Sequence, residues 1–108
     1  MLSLADAQFV ANITAKILGL KVRPAVFFDN VERGMAFVEA GQICLPEHLR
    51  TKHATISTYY IVHEVCHFIN GGLDHGKAFR SYEDKALAFW HISVKRGRGP
   101  YPLDIRSK

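Results

Sequence analysis

His63-Glu64-Val65-Cys66-His67 sets two imidazoles four residues apart, and His75 follows eight residues later. Residues four apart on an α-helix stand one turn above each other on the same face. His63 and His67 can therefore aim at a single metal ion. Glu64 points about 100° around the helix from His63. It stands beside the metal, as a base for a bound water rather than as a ligand. The chemistry implied is hydrolysis by a water activated between zinc and a carboxylate. With six His and five Glu in 108 residues, random placement gives an HExxH about 0.015 times per chain. The preceding Ile56-Ser57-Thr58-Tyr59-Tyr60-Ile61-Val62 is apolar enough for a buried helix, and buried His and Glu side chains need partners.

An enzymatic zinc site uses three protein ligands and leaves one position for water. One straight helix supplies two of them. The third must approach from another direction, so the chain has to turn. Asn70-Gly71-Gly72 supplies the turn and His75 opens the next helix, which makes His75 the expected third metal ligand. Glu83 and Asp84, further along, are its rivals; otherwise they are solvated helix charge. Asp74 reads as a helix cap or as a partner to a ligand. The longer HExxHxxGxxH pattern is excluded, because Asn70 and Leu73 stand where it needs Gly and His. A thermolysin-like site with a downstream carboxylate stays open through Glu83 or Asp84.

Tyr82, His91 and Tyr101 are candidates for a second oxyanion donor by residue type alone; each reads first as core or surface. His48 and His53 lie outside the motif and read as exposed. Cys66, one step from His67, reads as a small buried apolar residue. A substrate peptide could add as a strand to a sheet edge such as Met35 to Glu39.

The elements that must position these groups follow from periodicity and punctuation. Ser3 to Leu18 reads as a helix capped by Ser3, with Phe9, Val10, Ile13 and Ile17 as its apolar stripe. Lys21 to Phe28 reads as a strand, Asp29-Asn30 as a turn, and Met35 to Glu39 with Gln42 to Leu45 as a hairpin around Ala40-Gly41. Pro46 stops the second of these strands. Glu47 to His53 is a connector with room for one helical turn. The motif helix spans about Ala54 to Asn70. Asp74 then caps a last helix of about His75 to Lys95, with Phe79, Tyr82, Ala86, Phe89 and Trp90 on its buried side. Gly97-Arg98-Gly99-Pro100 breaks it, and 97–108 reads as a C-terminal tail. The order predicts a single α+β domain over 1–108: an N-terminal helix, a small three-stranded sheet, an active-site helix and a C-terminal helix.

Bulk properties agree with a globular domain, at 48% apolar residues. No apolar run approaches the roughly 18 residues of a membrane span. Met1 to Asp6 lacks a basic start and a long apolar region, so no secretory signal is expected. Two lone cysteines, Cys44 and Cys66, make no disulfide framework, and the cytoplasm is the expected compartment. Much of the net charge of +4 lies late, in Lys95, Arg96, Arg98, Arg106 and Lys108. This reads as a solvated end or as a weak DNA contact through the basic C-terminal region.

The chain resembles the SprT-like zinc metallopeptidases, a group that includes the Spartan proteases. The resemblance rests on His63-Glu64-x-x-His67 followed by His75-Gly76-x-x-Phe79, which is similar to that family's HExxH…HGxxF/W pattern. Gly34-x-Ala36 leading into Ile43-x-Leu45 is a weaker match, and the whole covers roughly 34–90. The resemblance implies a zincin-like fold, Zn2+ held by His63, His67 and His75, and Glu64 as catalytic base in peptide-bond hydrolysis. Some members cleave proteins crosslinked to DNA, which extends the expected substrates to DNA-associated proteins. Those members usually add a zinc ribbon, and two cysteines are too few for one. The alternative from another class is a zinc-stabilised binding module without turnover, which would not depend on Glu64.

Overall fold

The computed structural model describes residues 1–70, 75–99 and 101–108. Helix α1, Leu4–Ile17, opens with the Asp6 N–H donating to Ser3 Oγ at 3.0 Å, the cap expected for it. Its buried face differs from the expected stripe. Ala7, Ala11, Thr14 and Ala15 are fully buried, whereas Phe9 is exposed and Ile13 and Ile17 are half-buried. Small side chains let α1 lie close against the motif helix α2, Ala54–Asn70, and the larger residues flank that contact. The Trp90 indole N–H donates to buried Thr14 at 3.0 Å and ties α1 to the far end of the chain.

Strand β1, Ala25–Asp29, starts later than expected, after the buried Pro24. β2, Met35–Phe37, and β3, Gln42–Pro46, form the expected antiparallel hairpin, with Gly41 in the left-handed conformation at φ 68°. β1 pairs in parallel with β3, so the sheet order is β1-β3-β2 and β2 is an edge. β3 is the central strand, and Ile43 and Leu45 are completely buried. Across from them lie Ile61, Val62 and Val65 of α2, also completely buried. A short 3-10 helix, Glu47–Thr51, joins sheet to α2, and the buried Ser57 hydroxyl donates to the Leu49 carbonyl at 2.7 Å. His53 is exposed as expected, and its Nδ1 accepts from the Thr55 N–H at 3.2 Å at the start of α2.

The C-terminal third departs most from expectation. Helix α3 spans Lys77–Phe89, with Gly76 at its N-cap position. Asn70 ends α2, whereas the expected turn at Gly71-Gly72 and the Asp74 cap lie outside the described residues. The helix does not reach Lys95. His91 turns the chain with φ 56°, and Ile92–Arg96 is a strand, β4. It pairs antiparallel with Pro102–Ser107, strand β5, where a tail was expected. Ile92-Ser93-Val94-Lys95 alternates with period two, and a partner strand lets that pattern outweigh the helical reading. The face of α3 also differs. Phe79, Glu83, Ala86 and Leu87 are buried, while Tyr82 and Phe89 are exposed. The helix therefore turns a carboxylate toward α2. Among the described residues, no helix is long and apolar enough to cross a membrane.

Candidate metal centre

α2 packs its apolar residues inward and presents His63, Glu64 and His67 at the end of the same buried face. Glu64 is 6% exposed and His67 5%. His75 reaches them from the start of the next segment. Its Nε2 lies 3.2 Å from His63 Nε2 and 3.2 Å from His67 Nε2. One ligand atom from each histidine falls within 4.8 Å of the others. Phe79 underlies the group, with its ring centroid 5.1, 4.9 and 4.9 Å from those of His63, His67 and His75. The residue expected from the HGxxF pattern is thus the floor against which all three imidazoles rest.

The donor set fits a tetrahedral metal. Nitrogens about 2.0–2.1 Å from zinc at tetrahedral angles are about 3.3 Å apart, close to the separations seen. A proton shared by any two of these nitrogens leaves the third facing a lone pair. A cation at their centre satisfies all three.

The rival ligands lie elsewhere. Glu83 Oε2 accepts from His63 Nδ1 at 2.7 Å, on the side of the ring away from the cluster. Its Oε1 accepts from Arg96 Nη2 at 2.6 Å, and that guanidinium also meets Asp84 Oδ1 at 2.8 Å. Asp84 is exposed. Glu83 is 1% exposed, and its burial alone would push the carboxyl up. The hydrogen bonds from His63 and Arg96 outweigh that burial and hold it below the usual carboxylate range. An ionised Glu83 requires the His63 proton on Nδ1, which leaves the Nε2 lone pair toward the cluster. A carboxylate behind a histidine is a recurring partner of metal-binding imidazoles. Glu83 reads as such a partner rather than as a ligand.

Glu64 is held differently. Burial pushes its carboxyl up to about 7, with His63 pulling it down and Glu83 pushing it up. Gly34, just before β2, closes over it: a Cβ at Gly34 would lie 3.0 Å from Glu64 Oε2. The carboxylate sits in the space a side chain would fill.

Both glutamates flank His63, and Glu64 also lines a cleft of about 1000 Å³ with the three histidines. One wall is β2 and the residues before it; the other is α2, with Tyr101 and Pro102 at the hairpin end. Arg33 lies over the Tyr101 ring, 5.3 Å from its centroid, and joins the two sides. Of the three oxyanion candidates, Tyr101 lines this cleft, and Tyr82 and His91 do not. His48 is exposed as expected but also lines it. Cys66 is fully buried, and burial pushes its thiol up, as a packing residue would show.

The fold is similar to that in the crystal structure of the metallopeptidase zymogen of Pyrococcus abyssi abylysin. The TM-score is 0.67 at 17% identity, over 73% of this chain and 77% of that one. The chain has a small zincin-like α+β fold, as expected. No family model matches the sequence, and no curated protein does.

Two residues that the sequence reading left out of the site, Arg96 and Gly34, now join it, and Glu83, a rival ligand there, takes another role. Arg96 is a half-buried partner of the buried Glu83 rather than part of a solvated end. Glu83 stands behind His63. Gly34 encloses Glu64. Glu83 carried a signal: it falls between Phe79 and Ala86-Leu87 on one apolar stripe, where a charge needs a partner. Arg96 and Gly34 carried none, because their contacts span 13 and 30 residues of chain.

Proposed function

We propose that this chain is a zinc-dependent metalloendopeptidase of the SprT-like type. The observation that carries the reading is the convergence of three histidine Nε2 atoms beside a buried glutamate, in a cleft walled by an edge strand. The abylysin structure is that of a metallopeptidase zymogen, and its fold supports the same class. His63, His67 and His75 would hold the metal. Zinc, when bound, supplies a Lewis acid that lowers the pKa of water and polarises a carbonyl.

The chain's own residues do the rest. Glu64 accepts a proton from the attacking water and delivers it to the leaving amine nitrogen; the second proton of the water also ends on that nitrogen, so that water and one amide give a carboxylate and an ammonium group. β2, paired on one side only, offers its free edge to an extended peptide. Tyr101 brings a hydroxyl to the cleft, where it can donate to the developing oxyanion. DNA-associated proteins are one substrate class to test, since Lys95, Arg98, Arg106 and Lys108 are exposed on the β4–β5 hairpin. A steep fall of DNA affinity with salt would be its sign.

The test is Glu64→Gln. Zinc content should stay near one per chain, while cleavage of an unfolded polypeptide falls by about 10²–10⁴. A variant that cleaves normally would leave the zinc-stabilised binding module as the better reading.

A further inference from the structure

Behind the three histidines, away from the cleft, the hairpin reaches into the site. β4 sends Ile92, Val94 and Arg96 to one face, and a β-bulge at Lys95/Arg96 ends the regular ladder there. The Arg96 side chain is 23% exposed and sits between two carboxylates of α3. Its Nη2 donates to Glu83 Oε1 at 2.6 Å, while Glu83 Oε2 receives the His63 Nδ1 proton at 2.7 Å. The last torsion of a glutamate is soft. The position of one oxygen therefore depends on what holds the other.

We infer that Arg96 is a positioning residue for metal binding: it fixes the Glu83 carboxylate, which fixes the His63 ring with Nε2 toward His67 and His75. The inference rests on the metal-site reading above. It makes the β4–β5 hairpin part of the metal centre, although the hairpin supplies no ligand.

The sign of the effect separates this role from bulk electrostatics. Arg96 is a cation behind a cation site. Through space alone its removal should strengthen zinc binding. Weaker binding on its removal must pass through Glu83.

The experiment is zinc affinity by competition with a chromophoric chelator, well below the melting temperature of each metal-free protein. Arg96→Met keeps the packing of the stem and removes the donors. Its affinity should fall about tenfold, at the lower end for partners behind a ligand. Arg96→Lys should stay within about threefold of wild type, because one ammonium still reaches Glu83. Arg106→Ala, which removes the same charge from an exposed site on β5, should leave affinity unchanged. If Arg96→Met does not fold without metal, Arg96→Gln, with one N–H donor group and no charge, takes its place with the same expected direction. Equal or tighter binding in the Met or Gln variant overturns the inference and leaves the metal site standing. Absence of zinc binding by wild type overturns the metal-site reading itself.

Discussion

Glu64 and Glu83 flank the same histidine and are buried to similar degrees, at 6% and 1% exposure. Yet burial pushes Glu64 up to about 7, while Glu83 is held below the usual range. The difference lies in what faces each carboxylate. Glu83 accepts from His63 on one oxygen and from Arg96 on the other. Glu64 faces the cleft on one side and the backbone of Gly34 on the other. Two carboxylates of one type thus divide the work. One stays charged and holds a ring. The other can take and release a proton.

The largest expected effect separates the two by observable. Glu64→Gln should lower cleavage by about 10²–10⁴ with zinc affinity intact. Glu83→Gln should do the converse: zinc affinity falls by about 10–100-fold, and cleavage returns in part when zinc is saturating. If both variants lose zinc equally, the two glutamates form one cluster and the division is wrong.

A second effect sharpens the comparison through pH. Burial lifts the Glu64 carboxyl from its ordinary 4.5 to about 7 in the folded chain. The folded state therefore holds the extra proton. Its contribution to stability is complete below about 4.5 and is lost as pH rises through about 7. In metal-free protein, kept so by chelator, wild type should lose roughly 2 kcal/mol more than Glu64→Gln between pH 5 and pH 8. Denaturant unfolding of both proteins across that range measures it. Parallel pH profiles would mean that Glu64 is solvated and that burial does not set its titration.

The contrast also shows what the sequence could carry. The side of Glu64 is written in local spacing: i, i+1 and i+4 on one helix, then a histidine after a turn. Ala54–Asn70 and the β2–β3 hairpin were legible for the same reason, since each rests on period and punctuation within a short window. The side of Glu83 depends on pairings between distant segments. Ile92 to Lys95 alternates, but only Pro102–Ser107 makes the alternation a strand. Reading those residues as helix turned Arg96 into surface charge and hid the partner of Glu83. The phase of α3 failed by one position. Tyr82 is more apolar than Glu83, and only the waiting His63 and Arg96 reverse the preference.

The smallest effect tests the enclosure of Glu64. In Gly34→Ala the new methyl would lie 3.0 Å from Glu64 Oε2, and 3.4 Å from the Cys44 carbonyl oxygen. The carbonyl contact is ordinary, so the backbone can stay. The carboxylate must move by a few tenths of an ångström. Alanine also narrows the unfolded ensemble, which offsets part of the crowding, so stability should change by less than about 1 kcal/mol. Zinc affinity should not change, because the nearest atoms a Cβ at Gly34 would meet belong to Glu64 and Cys44, not to a histidine or to Glu83. Turnover should fall about tenfold, the cost of misplacing a base by a small distance. Separate kcat and KM values decide the cause. A fall in kcat alone places the effect on Glu64. A rise in KM with kcat unchanged would mean that the methyl obstructs a peptide lying along β2, and that the carboxylate is held by something other than Gly34.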